Sequence, residues 1–474
     1  MSSGQSRTPA AKSSASAASS PAATPDTPTP APRRSSRKSG ASSTLAKRHG
    51  ADVLAPRTTH YEFGGPVGAL GVTLTVPFFT YAFYYFCNPL VGCAVLPTHP
   101  GLLFKSMGSG IVQSLTDGTG WAIYFGWYAF AVACWALIPA RWEQGGELRT
   151  GEKLEYKINA FTTLLASFAV TAGIIVARGA EGFTFFYDHW PALITASLAN
   201  SLAQAFYVYA LSFKEGRLLA KGGNSGNALF DWFIGRELNP RIGIFDIKTF
   251  NELRPGLILW ALLDISCACK QYVELGRITD SMVLVVLFHT TYVVDALYNE
   301  SAIFTQMDIT TDGFGFMLSV GDLTWVPFVY SLQARYLAFA PKDLGYAAAA
   351  AILAFNYFGY WAFRSSNGEK NDFRNGRNPK NLKFMETASG RKLLTSGWWG
   401  MSRHPNYMAD LIMALAWSLP CGFDTPIPYT YVCYFTVLLV HRQMRDDEAC
   451  REKYGKDWDK YCKIVPSRIF PYIY

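Results

Sequence analysis

The sequence LLTSGWWGMSRHPNYMAD, from Leu393 to Asp410, precedes an apolar run and then HRQMRDDEACREKYGKDWDKY, from His441 to Tyr461. The apolar run extends from Met408 to Leu439 and is interrupted by PCGFDTPIP, from Pro420 to Pro428. A helix needs about 20 apolar residues to cross the hydrocarbon core of a bilayer. The interrupted run therefore predicts a hairpin of two short helices that enters the membrane and returns.

The same apolar character recurs along the 474 residues, of which 50% are hydrophobic and only 16% are charged. Soluble domains are about 25% charged. Further candidate spans share a long apolar run, and they start near Gly65, Gly120, Ile158, Pro191, Gly256, Met282, Phe314 and Tyr346. We therefore predict an all-α, polytopic transmembrane bundle of about ten spans.

The first 60 residues differ in composition from the rest of the chain. They are rich in Ser, Ala, Pro and Thr and carry a basic cluster from Arg33 to Lys38. Such a segment buries too little apolar surface to fold, so residues 1–60 are predicted to be a disordered tail and residues 61–474 the membrane domain. A solvated cytosolic tail is favoured over a segment that binds anionic lipid, nucleic acid or a nuclear partner.

Loop charges predict the orientation. The segment between Arg364 and Arg403 is strongly basic, and its cations are Lys370, Arg374, Arg377, Lys380, Lys383, Arg391 and Lys392. The segment after His441 is also rich in Lys and Arg. Because cytosolic loops carry an excess of these residues, both segments are predicted to meet at one cytosolic mouth.

The spacing of the histidines and cysteines argues against several classes of metalloenzyme. The seven histidines form no HExxH motif and no cluster, and the nine cysteines show no CxxC…CxxC spacing. This argues against a zinc protease and against a His-rich di-iron site. No metal site is predicted, and most cysteines are interpreted as buried thiols without a disulfide framework.

Acidic residues within apolar segments are costly and often functional. Five of them lie in or beside two successive apolar segments, and they are Asp295, Glu300, Asp308, Asp312 and Asp322. Tyr292 precedes Asp295 by three residues and so shares a helical face with it. A phenol beside an acid can deliver a proton in an apolar pocket. For any single acid, a structural role in joining helices is an equal alternative.

The basic mouth suits an anionic ligand. Lys370, Arg374 and Arg442 match a phosphate group. Trp399 or Tyr407 could stack on a flat heterocycle, and Asn406 could pair with an amide. Positive-inside topology alone would explain the cations but not the Trp, Tyr and Asn residues beside them. No GxGxxG or Walker A motif follows a strand, so any nucleotide site is not of the Rossmann type.

These motifs resemble the sterol reductase family of integral-membrane enzymes. The resemblance rests on LLTSGWWGMSRHPNYMAD, the C-terminal block and GNALFDWFIGRELNPRIGIFDIKTFNELRPG (residues 226–256). ELRPG and TDGFGFMLSVGDLTWVPFVYSLQARYL are most similar to the Δ14-sterol reductases of fungal ergosterol pathways. The membrane portion of the lamin B receptor belongs to the same subgroup, but its folded chromatin-reading domain has no counterpart here.

The resemblance implies reduction of the C14=C15 double bond of a sterol intermediate, with NADPH as cofactor. It implies protonation at C15 and hydride transfer to C14. The endoplasmic reticulum membrane is the implied location, with an extension into the contiguous nuclear membrane left open. A sterol, membrane lipid and other enzymes of the pathway are the implied partners, and no nucleic acid is expected.

The resemblance also assigns site residues, with the cofactor pocket formed by residues 364–474. The cofactor-binding residues it implies are Lys370, Arg374, Leu394, Trp399, Asn406, Tyr407, Arg442, Asp446, Cys450 and Tyr454. The loop after Lys370 is longer than the usual family form. Tyr292 is the implied proton donor, with Asp295 and Glu300 near it.

Three other interpretations remain open. Sister reductases that act at C7 or C24(28) share the C-terminal block, so only the middle motifs favour C14. Isoprenylcysteine methyltransferases share an RHPNY-type motif, but their chains are much shorter. A non-enzymatic scaffold or sterol sensor could keep the fold, although the intact set of cofactor residues argues against it.

Overall fold

The computed structural model describes residues 53–93 and 99–474, and Gly50–Tyr474 forms one compact unit. The predicted tail therefore lies outside the described residues except for 53–60. In that part, the Thr58 N–H donates to the Asn224 carbonyl at 3.2 Å. The Asn224 side chain donates to the carbonyls of Ala55 and Pro56 at 3.2 and 3.1 Å. Chain before the predicted boundary at residue 61 is thus attached to the bundle.

Helices dominate the first half of the described chain. They are α1 (Gly65–Tyr85), α2 (Pro100–Thr116), α3 (Gly118–Leu137), α4 (Ala160–Arg178), α5 (Trp190–Leu211) and α6 (Ala228–Ile234). Short helical turns at Ala180–Phe183 and Phe185–Asp188 join α4 to α5. Two hairpins interrupt the helices, one of β1 (Arg141–Glu147) with β2 (Lys153–Ile158) and one of β3 (Arg241–Ile242) with β4 (Phe245–Asp246).

The second half contains the longest helices. They are α7 (Ile247–Leu275), α8 (Asp280–Tyr298), α9 (Phe316–Val320, Gly321–Trp325 and Val326–Tyr330), α10 (Leu332–Phe339), α11 (Tyr346–Arg374), α12 (Pro405–Ser418), α13 (Thr430–Tyr454) and α14 (Lys456–Ile464). A third hairpin pairs β5 (Phe384–Glu386) with β6 (Lys392–Leu394). Shorter helical turns lie at Glu300–Thr305, Met307–Thr310, Trp398–Met401, Leu419–Cys421 and Ile427–Tyr429.

Five described helices, α1, α3, α4, α7 and α8, are long and apolar enough to cross a membrane. They match the starts predicted near Gly65, Gly120, Ile158, Gly256 and Met282, whereas the count of about ten spans stays a prediction. The predicted start near Pro191 corresponds to α5, a helix with buried polar side chains. Asn200 donates to the Tyr124 hydroxyl at 3.1 Å, and Gln204 donates to the Tyr128 hydroxyl at 3.0 Å. These groups face neighbouring helices rather than lipid.

The run between Met408 and Leu439 folds as a helical hairpin of α12, a double turn and α13, although α13 has 25 residues and is not short, and its crossing of the membrane stays a prediction. At the turn, the Ser418 hydroxyl donates to the Pro428 carbonyl at 2.9 Å. The helix α12 packs along α11, where Gly359 allows the close approach of Ile412 and Met413. The hairpin thereby brings the two polar blocks of the C-terminal region to the same end of the bundle.

The prediction for the cysteines needs a correction, because Cys87 and Cys93 form a disulfide after α1. A short loop brings their Cα atoms to 4.1 Å, a separation that motif spacing alone did not reveal. The Thr425 hydroxyl donates to the Cys93 carbonyl at 2.6 Å. The disulfide loop therefore meets the turn between α12 and α13, at the end of these helices opposite to the polar blocks.

Two π-turns face each other near the middle of the bundle. One, Glu252–Gly256, lies in α7 and the other, Gly321–Trp325, lies in α9. Gly256 contacts the Asp322 carbonyl so closely that a Cβ atom would overlap it. Such π-turns are often found at functional sites, and each of these two carries an acidic residue.

Candidate functional site: a polar pocket at one end of the bundle

Four elements form the polar pocket. They are the polar end of α11, the turn at Trp398–Met401, the start of α12 and the polar second half of α13. Glu369 joins the first two, because its carboxylate accepts from the Trp398 N–H at 3.0 Å and from Lys380 at 2.9 Å. The Arg403–Asp447 pair, with an N–O distance of 2.7 Å, joins the start of α12 to α13. The two sequence blocks therefore meet, as predicted.

Lys370 and Trp399 form the centre of this pocket. The Lys370 Nζ atom lies 3.9 Å from the centroid of the Trp399 ring. The indole N–H of Trp399 donates to the Ser366 carbonyl at 2.8 Å, which fixes the ring. Burial lowers the pKa of Lys370 to about 8, with a further lowering from Arg374. A buried ammonium on an aromatic face gains cation–π attraction and remains available to an anion.

His404, Tyr407 and Asp446 lie beside this pair. The rings of His404 and Tyr407 stack with centroids 4.7 Å apart, and the Tyr407 hydroxyl donates to Asp446 at 2.7 Å. Burial lowers the pKa of His404 to about 3, and the charges of Lys370 and Arg403 lower it further. His404 is therefore neutral at physiological pH and acts as a flat polar wall.

Asn406 and Asp410 provide the unpaired polar atoms of the pocket. The Oδ1 atoms of both side chains are buried without a hydrogen-bond partner among the described residues. The two residues lie one turn apart on α12 and share a face. Since an unpaired buried oxygen costs free energy, these atoms fit a ligand that donates hydrogen bonds.

The other predicted cofactor residues surround the pocket at different depths. Leu394 is buried on β6, whereas Arg374 is exposed at the end of α11. Cys450 and Tyr454 pack against the buried cluster of Trp458, Tyr461 and Val465. Arg442 pairs with Asp308 at an N–O distance of 3.4 Å. The structure therefore brings cations, aromatic rings and an amide together in the part of the chain that the resemblance implied.

Tyr292 lies deeper in the bundle, on α8. Its ring centroid is 5.3 Å from that of Trp417 and 6.0 Å from that of Trp260. Trp417 lies on α12, the helix that also carries Asn406 and Tyr407 into the polar pocket. This helix therefore connects the pocket to the predicted proton donor.

The two predicted acidic partners of Tyr292 have other contacts. Asp295 accepts from the Tyr360 hydroxyl at 2.8 Å and lies 3.6 Å from the Arg364 guanidinium. Glu300 accepts from Arg254 at 2.9 Å and from the Ala160 N–H at 2.8 Å. Glu300 therefore anchors the start of α4 to the ELRPG turn, which is the structural alternative considered for these acids.

Sequence reasoning missed a second polar cluster at the π-turns. Lys248 is fully buried and donates to the backbone carbonyls of Asp308, Ile309 and Asp312 at 2.7, 3.1 and 2.8 Å. Glu252 and Asp322 lie on the two π-turns that touch at Gly256, and each has one buried oxygen that has no partner in the described chain. Pro255 three residues after Glu252 was the available signal, since proline within a helix marks a distortion.

No group of three or more His, Cys, Asp or Glu side chains in the described residues has metal-site geometry. The pocket chemistry is instead that of cations, aromatic rings and amide oxygens around Lys370, Asn406 and Arg442. Such groups recognise phosphate and a flat polar heterocycle.

The fold and this pocket define a helical membrane protein with a polar pocket at one end of its bundle. The model of the ergosterol biosynthesis ERG4/ERG24 family matches residues 57–474. The chain belongs to that family.

Curated relatives are similar over nearly their whole length. A Delta(14)-sterol reductase of Schizosaccharomyces pombe is 52% identical over 419 residues, which cover 87% of this chain and 97% of the relative. The protein of that name from Candida albicans is 43% identical over 445 residues, covering 89% of this chain and 99% of the relative. The one from Saccharomyces cerevisiae is 42% identical over 439 residues, with the same two coverages.

Proposed function

We propose that this chain is a Δ14-sterol reductase, an oxidoreductase that reduces the C14=C15 bond of a sterol intermediate. The names of its relatives support the choice of C14 over C7 and C24(28). The observation that carries the chemistry is the placement of α12, which carries Tyr407 into the polar pocket and Trp417 against the Tyr292 ring, with ring centroids 5.3 Å apart. A cofactor and a proton donor can then act on one substrate.

NADPH is the proposed cofactor. The residues fit it, because Lys370 and Arg374 suit a phosphate, Trp399 suits an aromatic ring, and Asn406 has an unpaired oxygen for an amide N–H. The other proposed cofactor contacts are Arg442, Leu394, Tyr407 with its hydrogen-bonded partner Asp446, and Cys450 and Tyr454, which pack on the cluster of Trp458. When bound, NADPH supplies the hydride.

Tyr292 is the proposed proton donor. Its O–H gives a proton to C15, which leaves a tertiary cation at C14. An alkene is a weak base, so the donor must be held in place and water excluded. The rings of Trp260 and Trp417 around Tyr292 do both. Asp295 holds the adjacent turn of α8 through Tyr360 rather than supplying the proton.

The proposed setting is the membrane of the endoplasmic reticulum, crossed about ten times, with the polar pocket facing the cytosol. The five apolar helices support part of this count, and the basic loop beside the pocket supports the orientation. Residues 1–60 are proposed to remain a cytosolic tail apart from the docked segment. Other enzymes of the sterol pathway are proposed as partners on the membrane.

The test measures NADPH oxidation by the purified full-length chain with a Δ14-unsaturated sterol, and the sterols of cells that lack the protein. We expect substrate-dependent oxidation and accumulation of Δ14-unsaturated sterols. Accumulation of C24(28)- or C7-unsaturated sterols would show that the chain reduces that bond instead, as the sister reductases do. Transfer of a methyl group, or no turnover of any sterol, would contradict the proposal.

The donor assignment has its own experiment. Tyr292→Phe removes the hydroxyl and keeps the ring packing, so turnover should fall about 100-fold or more while NADPH binding persists, as expected for loss of a general acid. Cofactor binding is followed by quenching of tryptophan fluorescence. Full activity of Tyr292→Phe would show that the proton comes from another group.

A further inference from the structure

Asp410 on α12 has a carboxyl oxygen that the proposed cofactor contacts do not use. Its Oδ1 atom is buried and has no hydrogen-bond partner in the described chain. A buried carboxyl is usually paired, because an unpaired buried oxygen loses its hydrogen bonds to water without replacement. The placement therefore points to a task during turnover.

The surroundings of Asp410 connect the two parts of the site. Arg442 on α13 is its cationic neighbour. Three phenols also interact with it, and they are Tyr292 on α8, Tyr407 on α12 and Tyr431 on α13. Trp417, two turns after Asp410 on the same face of α12, contacts the Tyr292 ring with centroids 5.3 Å apart, so Asp410 lies on the side of α12 that packs against α8.

Asp295 and Glu300 are less suited to serve Tyr292. Asp295 already accepts from Tyr360 and lies against Arg364, whereas Glu300 is paired with Arg254. Asp410 instead has a buried oxygen without a partner in the described chain, and it lies one turn after Asn406 on α12. Its helix therefore reaches both the polar pocket, at Asn406, and the Tyr292 ring, at Trp417.

We propose that Asp410 is a positioning residue that returns a proton to Tyr292 after each turnover. This inference rests on the proposed function. After Tyr292 has protonated C15, its phenolate oxygen takes a proton from the Asp410 carboxyl through one bridging water, since no direct hydrogen bond joins the two side chains. Asp410 then takes a proton from water in the polar pocket. One O–H bond breaks and one forms in each transfer, and no electrons move.

The alternative role for Asp410 is to balance the charge of Arg442. The two roles differ in time, because a relay is needed between turnovers and a charge balance is needed at every moment. A relay mutant should complete one turnover with the proton already on Tyr292 and then slow down. A mutant with a disturbed Arg442 should bind NADPH weakly from the start.

The experiment compares Asp410→Asn and Asp410→Glu with the original chain, purified at full length and loaded with NADPH and a Δ14-unsaturated sterol. Rapid mixing gives the first turnover, and steady-state assays give kcat and KM from pH 6 to 9. Asp343→Asn is the matched control, because Asp343 is exposed and paired with Arg277 far along the sequence.

For Asp410→Asn we expect a first turnover within about threefold of the original, and a steady-state kcat at least about 100-fold lower, the low end of proton-transfer effects. Its kcat should also lose the dependence on pH that the original chain shows. Asp410→Glu should restore part of the kcat, and Asp343→Asn should change neither value.

Equal steady-state rates for Asp410→Asn and the original would refute the relay. A first turnover that is as slow as the steady state, or a KM for NADPH that rises with kcat unchanged, would also refute the relay. Either result would indicate that Asp410 balances the charge of Arg442. If the original chain consumes no NADPH with the sterol, the proposed function itself fails. If Tyr292→Phe keeps full activity, Tyr292 is not the proton donor, and the proposed relay to it is refuted as well.

Discussion

At the scale of single residues, Lys370 shows how burial prepares a cation for a ligand. Its ammonium lies on the Trp399 ring, and its pKa is lowered to about 8 by burial and by Arg374. The charged form binds phosphate, so the affinity for NADPH is complete below pH 8 and is lost as the pH rises through this value. A bound phosphate favours the ammonium, so the pKa of Lys370 is higher in the complex, and the affinity stops falling above that higher pKa.

This gives a prediction for the pH dependence of cofactor binding. The KM for NADPH should be nearly constant from pH 6 to 7.5 and should then rise above the pKa of Lys370 in the free protein, about 8, approaching about tenfold per pH unit because the charged fraction falls by that factor. Steady-state assays at saturating sterol measure it. Lys370→Arg is the control, since arginine stays charged throughout, and its KM should show no such rise. The same rise in both proteins would assign the effect to another group.

Sequence patterns could identify the side chains of the polar pocket but not their pairing. The Trp, Asn, Tyr and cation content around Lys370 and Asn406 predicted a nucleotide-type site, and these residues do converge. The role suggested for Glu300 could not be judged from spacing, because its partner Arg254 lies 46 residues away. Asp410 was overlooked because only the structure shows that its oxygen has no partner.

At the scale of elements, the two π-turns explain why the middle of the bundle is sensitive to small changes. Gly256 in α7 lies directly against the Asp322 carbonyl of α9. This close approach holds together the two π-turns that carry Glu252 and Asp322. A helix with regular hydrogen bonds would rotate the following residues by part of a turn and separate these side chains.

Gly256→Ala should therefore destabilise the protein by about 1–3 kcal/mol, the usual cost of overpacking a close contact. A lower midpoint of thermal unfolding in detergent measures the effect. Gly321→Ala is the matched control in the facing π-turn, because no described atom lies within 4 Å of its Cβ position. An unchanged midpoint for Gly256→Ala would mean that the two turns can move apart without cost.

At the scale of the whole molecule, the apolar periodicity predicted most helices, and the interrupted run predicted the hairpin of α12 and α13. It could not predict α2, whose Ser, Gly and Lys residues dilute its apolar character. Nor could it predict the π-turns, because they arise from packing between α7 and α9. The number of spans stays a prediction because α5 and α9 carry polar groups toward neighbouring helices.

The disulfide gives a test of the orientation of the whole molecule. The Cys87–Cys93 loop contacts Thr425 in the turn between α12 and α13, whereas the polar pocket lies at the other end of these helices. If the pocket faces the cytosol, the disulfide faces the lumen, an oxidising compartment where such bonds persist.

An impermeant phosphine added to sealed microsomes should then leave the disulfide intact, and the same reagent should reduce it after permeabilisation. Two additional maleimide–polyethylene glycol adducts report the reduction, and the double variant Cys87→Ser, Cys93→Ser should gain none under either condition. Reduction in sealed microsomes would place this loop in the cytosol and invert the proposed orientation.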